Sequence, residues 1–561
     1  MTSQISDTPP RRAGARQWIG LAFLLLPTML LTADLGVLWL ATPPLSADLE
    51  PTSTELLWIN DIYGFVIAGL LVLTGNLGDR FGRRRVLLIG AAAFTVASVV
   101  AAYAPNPLVL IGGRALLGVA GAAIMPATLA LISHMFTSER QRARAIAMWV
   151  TALSAGIAVG PVISGVMLEH FWWGSVFLLG VPVMAAALIV TPLTVPEHAN
   201  RDAKKLDFIS MPLLLLTLLP LVLAIKYFGE HGLALWTVLP LVAGAVFGAV
   251  FVARQRRIDN PLLELSLFGQ RTFTAALLLL FVGLAAMNGV EYVVPQYLQL
   301  VSGVPSAETG WLMVLPAVGL VIGSQATPLL TRRVRPAYVI AGGALIAVIG
   351  FVVLTTLPSD GSGVAIAAVG TTVMMAGLAP ITVLGTGIAV GAAPPAKAGQ
   401  AAAVGQTSYE LGLAFGIAAT GSVMAAVYRG HVSDSAPAGV SKDVVAEAAN
   451  NYSGGVAVAE RVPGELGSAL ADVVRSGLTS GLHTAAVVSA CLSVLLCGLS
   501  VWLLRNVPVT GAEESAADDE HHDDKGHDDK GHDDKRHDGE RHDDDVLAEQ
   551  HVRTTSSSTG V

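Results

Sequence analysis

Apolar runs of about 20 residues recur fourteen times between Trp18 and Arg505, which is the length needed to cross a bilayer. They fall near 18–41, 56–75, 86–104, 108–132, 145–167, 173–193, 208–226, 233–253, 273–300, 309–330, 337–356, 364–387, 400–428 and 483–505. Inside lipid no water is available to bond the backbone, so each run must satisfy its own peptide groups as a helix. Hydrophobic residues make up 53% of the chain, charged residues only 14%, and mean hydropathy is +0.62. The expected class is therefore an all-α polytopic membrane protein. The first run is too long for a signal-peptide core and Asp34 interrupts it, so it reads as a retained helix.

Charge in the connections supports the count. Even-numbered connections carry Arg80–Arg85, Arg140/Arg142/Arg144, Arg201/Lys204/Lys205, Arg254/Arg256/Arg257/Arg271, Arg332/Arg333/Arg335 and Lys397. The short odd-numbered ones hold no Lys or Arg, apart from Lys226 at one boundary. Basic loops stay in the cytoplasm, so both termini are expected there, with the protein in the cell membrane. The net charge of −8 is misleading, because from Glu513 onward there are 17 acidic and 6 basic residues, which leaves the rest at about +3. That tail repeats His-Asp-Asp-Lys-Gly every five residues from His522 and reads as disordered. Its histidines, His521, His522, His527, His532, His537 and His542, have no fixed geometry, and no metal site is expected. Cys491 and Cys497 lie six residues apart in the last run, on different faces of one helix, and read as free buried thiols.

Spans 1–6 and 9–14 suggest an internal repeat of six helices, with spans 7 and 8 inserted between. Thr331–Arg335 after span 10 is a degraded counterpart of the loop after span 2. The expected organisation is a cytoplasmic N-terminus at 1–17 and an N-terminal half at 18–193. Two inserted helices with their loops follow at 194–271. The C-terminal half is at 272–505, with a long outside loop at 429–482 in which 443–450 and 465–478 form short helices. The tail is 506–561.

Several stretches carry chemistry. Gly75-Asn76-Leu77-Gly78-Asp79-Arg80-Phe81-Gly82-Arg83-Arg84-Arg85 joins spans 2 and 3, where glycines permit close approach and the arginines cannot enter lipid cheaply. A positive turn accounts for the arginines but not for the ordered Gly, Asp and Gly. In span 5, Gly156, Gly160 and Gly165 allow close helix packing, and Pro161 removes a backbone hydrogen bond and permits a bend. Arg114 in span 4 is costly in a membrane and must face a cavity, a carboxylate or, by snorkelling, the outer surface. Asp34, Asp61, Glu291 and Glu410 are carboxylates inside spans 1, 2, 9 and 13. A carboxyl taken out of water favours its neutral form and a nearby cation draws it back to the ion, so one group can hold a proton or a cationic substrate. Trp39, Trp58, Tyr63, Trp149 and Tyr409 share spans with these acids, and aromatic faces attract lipophilic cations. Asp34 and Glu291 lie 18 and 20 residues past Arg16 and Arg271, which puts them about 3 Å apart in depth if the halves correspond.

The loop at 75–85 resembles the G-x-L-x-D-R-x-G-R-R/K signature of the major facilitator superfamily, in which the aspartate helps latch one conformational state. Gly156–Gly165 is similar to the antiporter motif of its drug exporters, with Ser164 in place of a glycine. Arg114-Ala115-Leu116-Leu117-Gly118-Val119-Ala120-Gly121-Ala122 resembles the span 4 motif in which an arginine serves proton transfer. Ala33-Asp34, Leu57–Tyr63, Met125–Leu129, Leu168–Trp173 and Ala401–Gly412 look like the fourteen-span drug:proton antiporters that expel quaternary ammonium compounds. The likeness runs from about residue 18 to 505. It implies the facilitator fold and cavity roles for Asp34, Asp61 and Glu410. The family's L-D-x-T has Ala33 and Gly36 here, Gly405-Gln406 stand where some relatives have paired acids, and no acid lies in 316–327. Whether dications are carried stays open.

No Walker A loop, HExxH, GxSxG or paired CxxC is present, so the chain does not read as an enzyme. The expected activity is export of lipophilic organic cations in exchange for protons. The proton gradient is the energy source and no cofactor or nucleic acid is involved; the expected unit is a monomer in the lipid bilayer. Export of an endogenous metabolite or lipid, import on the same scaffold, and a membrane sensor with a metal-binding tail are the alternatives.

Overall fold

The computed structural model describes residues 13–136, 138–197, 207, 209–231, 234–258, 261, 265–394 and 398–508. Nineteen α-helices form among them. The N-terminal set is α1 (Ala15–Leu49), α2 (Ser53–Phe81), α3 (Arg83–Ala102), α4 (Pro107–Met135), α5 (Glu139–His170), α6 (Ser175–Leu178) and α7 (Gly180–Thr194). Then come α8 (Ser210–His231) and α9 (Leu235–Gln255), followed by α10 (Arg271–Glu291), α11 (Val294–Leu300), α12 (Ser306–Leu312), α13 (Val314–Thr331), α14 (Pro336–Leu354) and α15 (Val364–Ala392). The last four are α16 (Ala398–Ser435), α17 (Lys442–Asn450), α18 (Tyr452–Arg461) and α19 (Glu465–Leu504). No strand occurs among the described residues, and thirteen helical stretches are long and apolar enough to cross a membrane. A fourteenth apolar stretch, Pro212–Phe228 in α8, is shorter and coincides with the seventh run.

Local signals fix the helix starts. Thr52 and Glu55 cap α2 reciprocally, Thr52 Oγ1 accepting from the Glu55 amide at 3.2 Å and Glu55 Oε2 accepting from the Thr52 amide at 2.9 Å. Asn106 accepts from the Val109 amide at 3.0 Å, and Pro107, at the first helical position of α4, has no amide to leave unsatisfied.

Two expectations need correction. The connection expected at 429–482 is largely helical: α16 continues to Ser435, and α19 runs unbroken from Glu465 into the last span, so 465–478 is no separate helix. The turn between them carries α17, as expected, and also α18, which was not. Cys491 is exposed and Cys497 half-buried, so neither is a buried thiol as expected; both are free. The low-complexity tail lies outside the described residues.

The α17–α18 hairpin marks one end of the bundle, and the two six-helix sets close on each other there. Leu57 seats on Gly421 and Gly64 on Ala414, and Ser306 Oγ donates to the Gly165 carbonyl at 3.2 Å. Gln299 Nε2 reaches the Leu40 carbonyl at 3.3 Å. The hairpin bonds to both sets: Asn451 Nδ2 to the Pro51 carbonyl at 2.6 Å, Ser53 to the Asn450 carbonyl, and the Tyr452 hydroxyl to that of Tyr292 at 2.8 Å. α8 leans on α2 and α16 through a cluster of Phe65, Val222, Ala414 and Ala418.

Candidate functional site

Among the described residues, six charged side chains are buried within this bundle. Asp34, Asp61, Glu291 and Glu410 are each less than a tenth exposed, and Arg114 and Lys226 are at most 1% exposed. A buried charge is tolerated only when paired or bonded, so their partners define what the site can do.

Asp34 owes its position to the glycines of α5. Gly156 lies against the Met29 carbonyl and Thr32, and Gly160 against the Ala33 carbonyl, with no room for a side chain at either. Thr32 Oγ1 adds a bond to the Leu153 carbonyl at 2.9 Å. Pro161 fills the space over Gly36. Opposite, Arg114 on α4 forms an ion pair with Asp34 Oδ2 and donates from Nε to the Ile59 carbonyl at 3.1 Å. Its guanidinium lies 4.7 Å from the centre of the Tyr63 ring, whose hydroxyl donates to the Leu31 carbonyl at 3.2 Å. Arg114 therefore faces inward and does not snorkel.

Asp61 has a partner that the sequence reading left at a boundary. Lys226 Nζ donates to Asp61 Oδ2 at 2.7 Å, with both side chains fully excluded from the surface. The ammonium also lies 4.7 Å from the centre of the Trp58 ring. Ending the seventh run at residue 226 hid a lysine that lies inside an apolar helix; that position was the available signal.

The C-terminal set is different. Glu410 on α16 accepts from Gln406 Nε2 at 3.0 Å, one helical turn back. Glu291, the last residue of α10, has a buried Oε2 with no hydrogen-bond partner. Among the described residues neither acid has an ion-pair partner. Tyr409 is next to Glu410 on α16, and the Tyr63 ring lies against the Arg114 guanidinium. Asp34 is thus engaged by Arg114, whereas Glu291 Oε2 has no hydrogen-bond partner.

The aromatic faces expected to line a cavity divide in two. Trp58 and Tyr63 carry the chain's own cations. Trp149 is 9% exposed and donates from Nε1 to Thr128 Oγ1 at 3.1 Å, while Tyr409 is half-buried. Above Asp61, Asn60 Nδ2 donates to the Leu56 carbonyl at 2.8 Å and approaches the Tyr292 hydroxyl at 3.3 Å. A polar chain thus links the hairpin's Tyr452 to the residue beside Asp61. Nothing local in the sequence marked Tyr292, Asn451 or Tyr452.

At the opposite end, the glycine loop is built around a carboxylate. Gly82 has φ +107°, and a Cβ there would lie 2.6 Å from Glu197 Oε1. Only glycine suits that backbone. Glu197 accepts from the Arg84 amide at 3.1 Å and pairs with Arg84 Nε at 3.8 Å and Arg85 Nε at 3.7 Å. Gly78 sits beside Arg83, a Cβ on Gly75 would lie 3.9 Å from Pro126, and Arg80 is exposed with its guanidinium 5.7 Å from the Phe81 ring centre. The side chain of Asp79 lies outside the described residues. At the other end of α5, Gly165 meets the Ser306 carbonyl with no room for a side chain.

Two six-helix sets closed around buried carboxylates define a multi-pass membrane transporter. Comparison with known proteins makes the class specific: residues 24–417 match the model of the Major Facilitator Superfamily, and the chain belongs to that family. It is 38% identical to the multidrug efflux pump LfrA of Mycolicibacterium smegmatis, over 88% of this chain and 97% of that one. It is 32% identical to the methyl viologen resistance protein SmvA of Salmonella typhimurium, over 87% and 98%. The tetracenomycin C resistance and export protein of Streptomyces glaucescens is 28% identical, over 91% and 96%. Among solved structures, a bacterial homologue of the human lysosomal transporter Spinster, in an inward-facing and unoccupied conformation, superposes with a TM-score of 0.61 at 17% identity, over 88% of this chain and 99% of that one. That likeness supports the fold alone.

Proposed function

We propose that the chain exports lipophilic organic cations in exchange for protons. The observation that carries this reading is the asymmetry of the buried charges. Asp34 and Asp61 are matched by Arg114 and Lys226, whereas Glu291 and Glu410 have no cation partner among the described residues. An uncompensated carboxylate away from water must take up a cation from elsewhere, either a proton or a positively charged cargo. Glu410 beside half-buried Tyr409 suits an aromatic-walled cation site. Relatives described as a multidrug efflux pump and a methyl viologen resistance protein support organic cations as cargo.

In this reading the cargo is loaded from the cytoplasm, where the basic loops and both termini lie. Arg114 stays paired with Asp34 until the charge of a cargo competes for it. The glycine contacts between α1 and α5 keep that pair in register while the two sets rock. Asp79 acts in the loop as a latch for one state. The chain works as a monomer in the cell membrane without a cofactor. Exchange of one proton for one monovalent cation moves no net charge and draws only on the pH gradient, at about 1.4 kcal/mol per unit.

Cells expressing the chain, loaded with a cationic dye, are expected to expel it against its gradient and to stop when a protonophore collapses the proton gradient. Efflux that continues unchanged under the protonophore overturns proton coupling. The similarity to a tetracenomycin C export protein favours a second reading, export of an endogenous product, which a panel of neutral and cationic substrates separates from the first.

A further inference from the structure

The pocket around Asp61 has the composition of a site for an organic ammonium ion, and the chain fills it itself. A carboxylate oxygen lies 2.7 Å from the Lys226 ammonium, and the Trp58 ring centre lies 4.7 Å from it. Carboxylate and aromatic face together are what an alkylammonium cargo would need. The second carboxylate oxygen, Oδ1, is buried and has no hydrogen-bond partner, so the acid retains acceptor capacity that the lysine does not use. The lysine comes from α8, one of the two helices between the six-helix sets, which reaches α2 and α16 together through Phe65, Val222 and Ala414.

We propose that the Asp61–Trp58 pocket is a second ammonium subsite and that Lys226 is its tethered occupant, which sets the preference of the transporter for singly over doubly charged cations. A monocation needs one uncompensated acid, which leaves the other of Glu291 and Glu410 to carry a proton. A rigid dication must place its second charge on a further acid, and Asp61 is available only if the Lys226 ammonium is displaced. The inserted helix pair then has a function beyond filling lateral space: it carries a built-in competitor for one subsite. Removing the amine opens the subsite, whereas replacing it with another cation keeps it closed. The inference rests on the reading that the cargo is cationic.

The test uses the purified full chain in nanodiscs, with affinities measured for tetraphenylphosphonium, a monocation, and dequalinium, a bis-quaternary dication. Lys226→Met is expected to raise the ratio of dication to monocation affinity about tenfold, the usual order for one buried charged contact. Lys226→Arg is expected to keep the wild-type ratio, and Asp61→Asn/Lys226→Met to lose the gain because no carboxylate is left to receive the second charge. If the methionine variant does not accumulate folded, Lys226→Gln, which keeps a donor for Asp61, is read in the same way. An unchanged or lowered ratio in a folded variant overturns the proposal, as does an equal rise in the double variant. A wild-type chain that binds neither probe overturns the cation-export reading and this proposal together. Wild-type binding with no change of ratio overturns this proposal alone.

Discussion

Pro161 of α5 sits directly over the bare backbone of Gly36 on α1: a Cβ at position 36 would lie 2.9 Å from Pro161 Cγ and 3.0 Å from Cδ. The two positions are complementary. The ring occupies the space that a threonine side chain would need.

Gly36→Thr is therefore expected to push α5 away from α1 and destabilise the fold by about 1–3 kcal/mol, the usual cost of overpacking. Gly36→Ala should fall in between. Thermal melting of the purified protein reads the loss, and a threonine variant as stable as wild type would show that the helices separate freely at this point.

Asp34→Asn leaves Arg114 buried with the Ile59 carbonyl and the Tyr63 ring but no counter-charge. Removing one partner of a buried pair costs about 3–5 kcal/mol. Uphill efflux should collapse, and abundance should fall. Asp34→Asn/Arg114→Gln should recover abundance but not efflux. If the double variant still pumps against a gradient, the pair is a structural element and the proton is carried elsewhere.

Glu291 has a buried oxygen without a hydrogen-bond partner and no ion-pair partner among the described residues. A second titrating acid admits a second proton, and each additional charge moved adds about 2.3 kcal/mol per 100 mV. Glu291→Gln is expected to weaken dication export several-fold more than monocation export and to reduce dependence on membrane potential. Vesicles under separate pH and voltage gradients make the measurement; equal transport of both cargo types by variant and wild type would remove Glu291 from the coupling scheme.

Asp207, outside the spans, joins the start of α8 to the end of α9. Partial burial pushes its carboxyl up, but hydrogen bonds from Arg254, from the Ser210 side chain and from the Ser210 and Ile209 amides outweigh that and hold it at about 2. Arg254 Nη2 donates at 2.8 Å. A carboxyl lowered on folding contributes stability that is complete above its unfolded value of about 4 and is lost as pH falls through its folded value near 2. Wild type should melt higher than Asp207→Asn at pH 5, and the gap should close between about pH 4 and pH 2. A gap that is constant across this range would mean the contribution does not depend on ionisation.

The class and helix order were legible in the chain because lipid leaves a backbone only one local solution: each apolar run had to become a helix, and basic loops had to mark one side. The same logic made Asp34, Asp61, Arg114, Glu291 and Glu410 conspicuous, since a charge in an apolar run is rare and costly. Gly156, Gly160 and Gly165 were legible as close-packing positions, though not what they would pack against. Lys226 was misplaced for a reason that is also local. A lysine near the end of a run reads as the boundary, and only the packing of α8 on α2 turns it inward.

Pairing was decided by tertiary structure alone. Asp34 meets Arg114 across 80 residues and Asp61 meets Lys226 across 165, distances over which no periodicity carries information. Glu197 under Gly82, and Tyr452 and Asn451 reaching from the hairpin into both helix sets, were invisible for the same reason. A sequence records the cost of each buried charge, because that cost is set by the residue and its apolar neighbours in the chain. What offsets the cost depends on which helices lie side by side, and that arises only when all the spans pack at once.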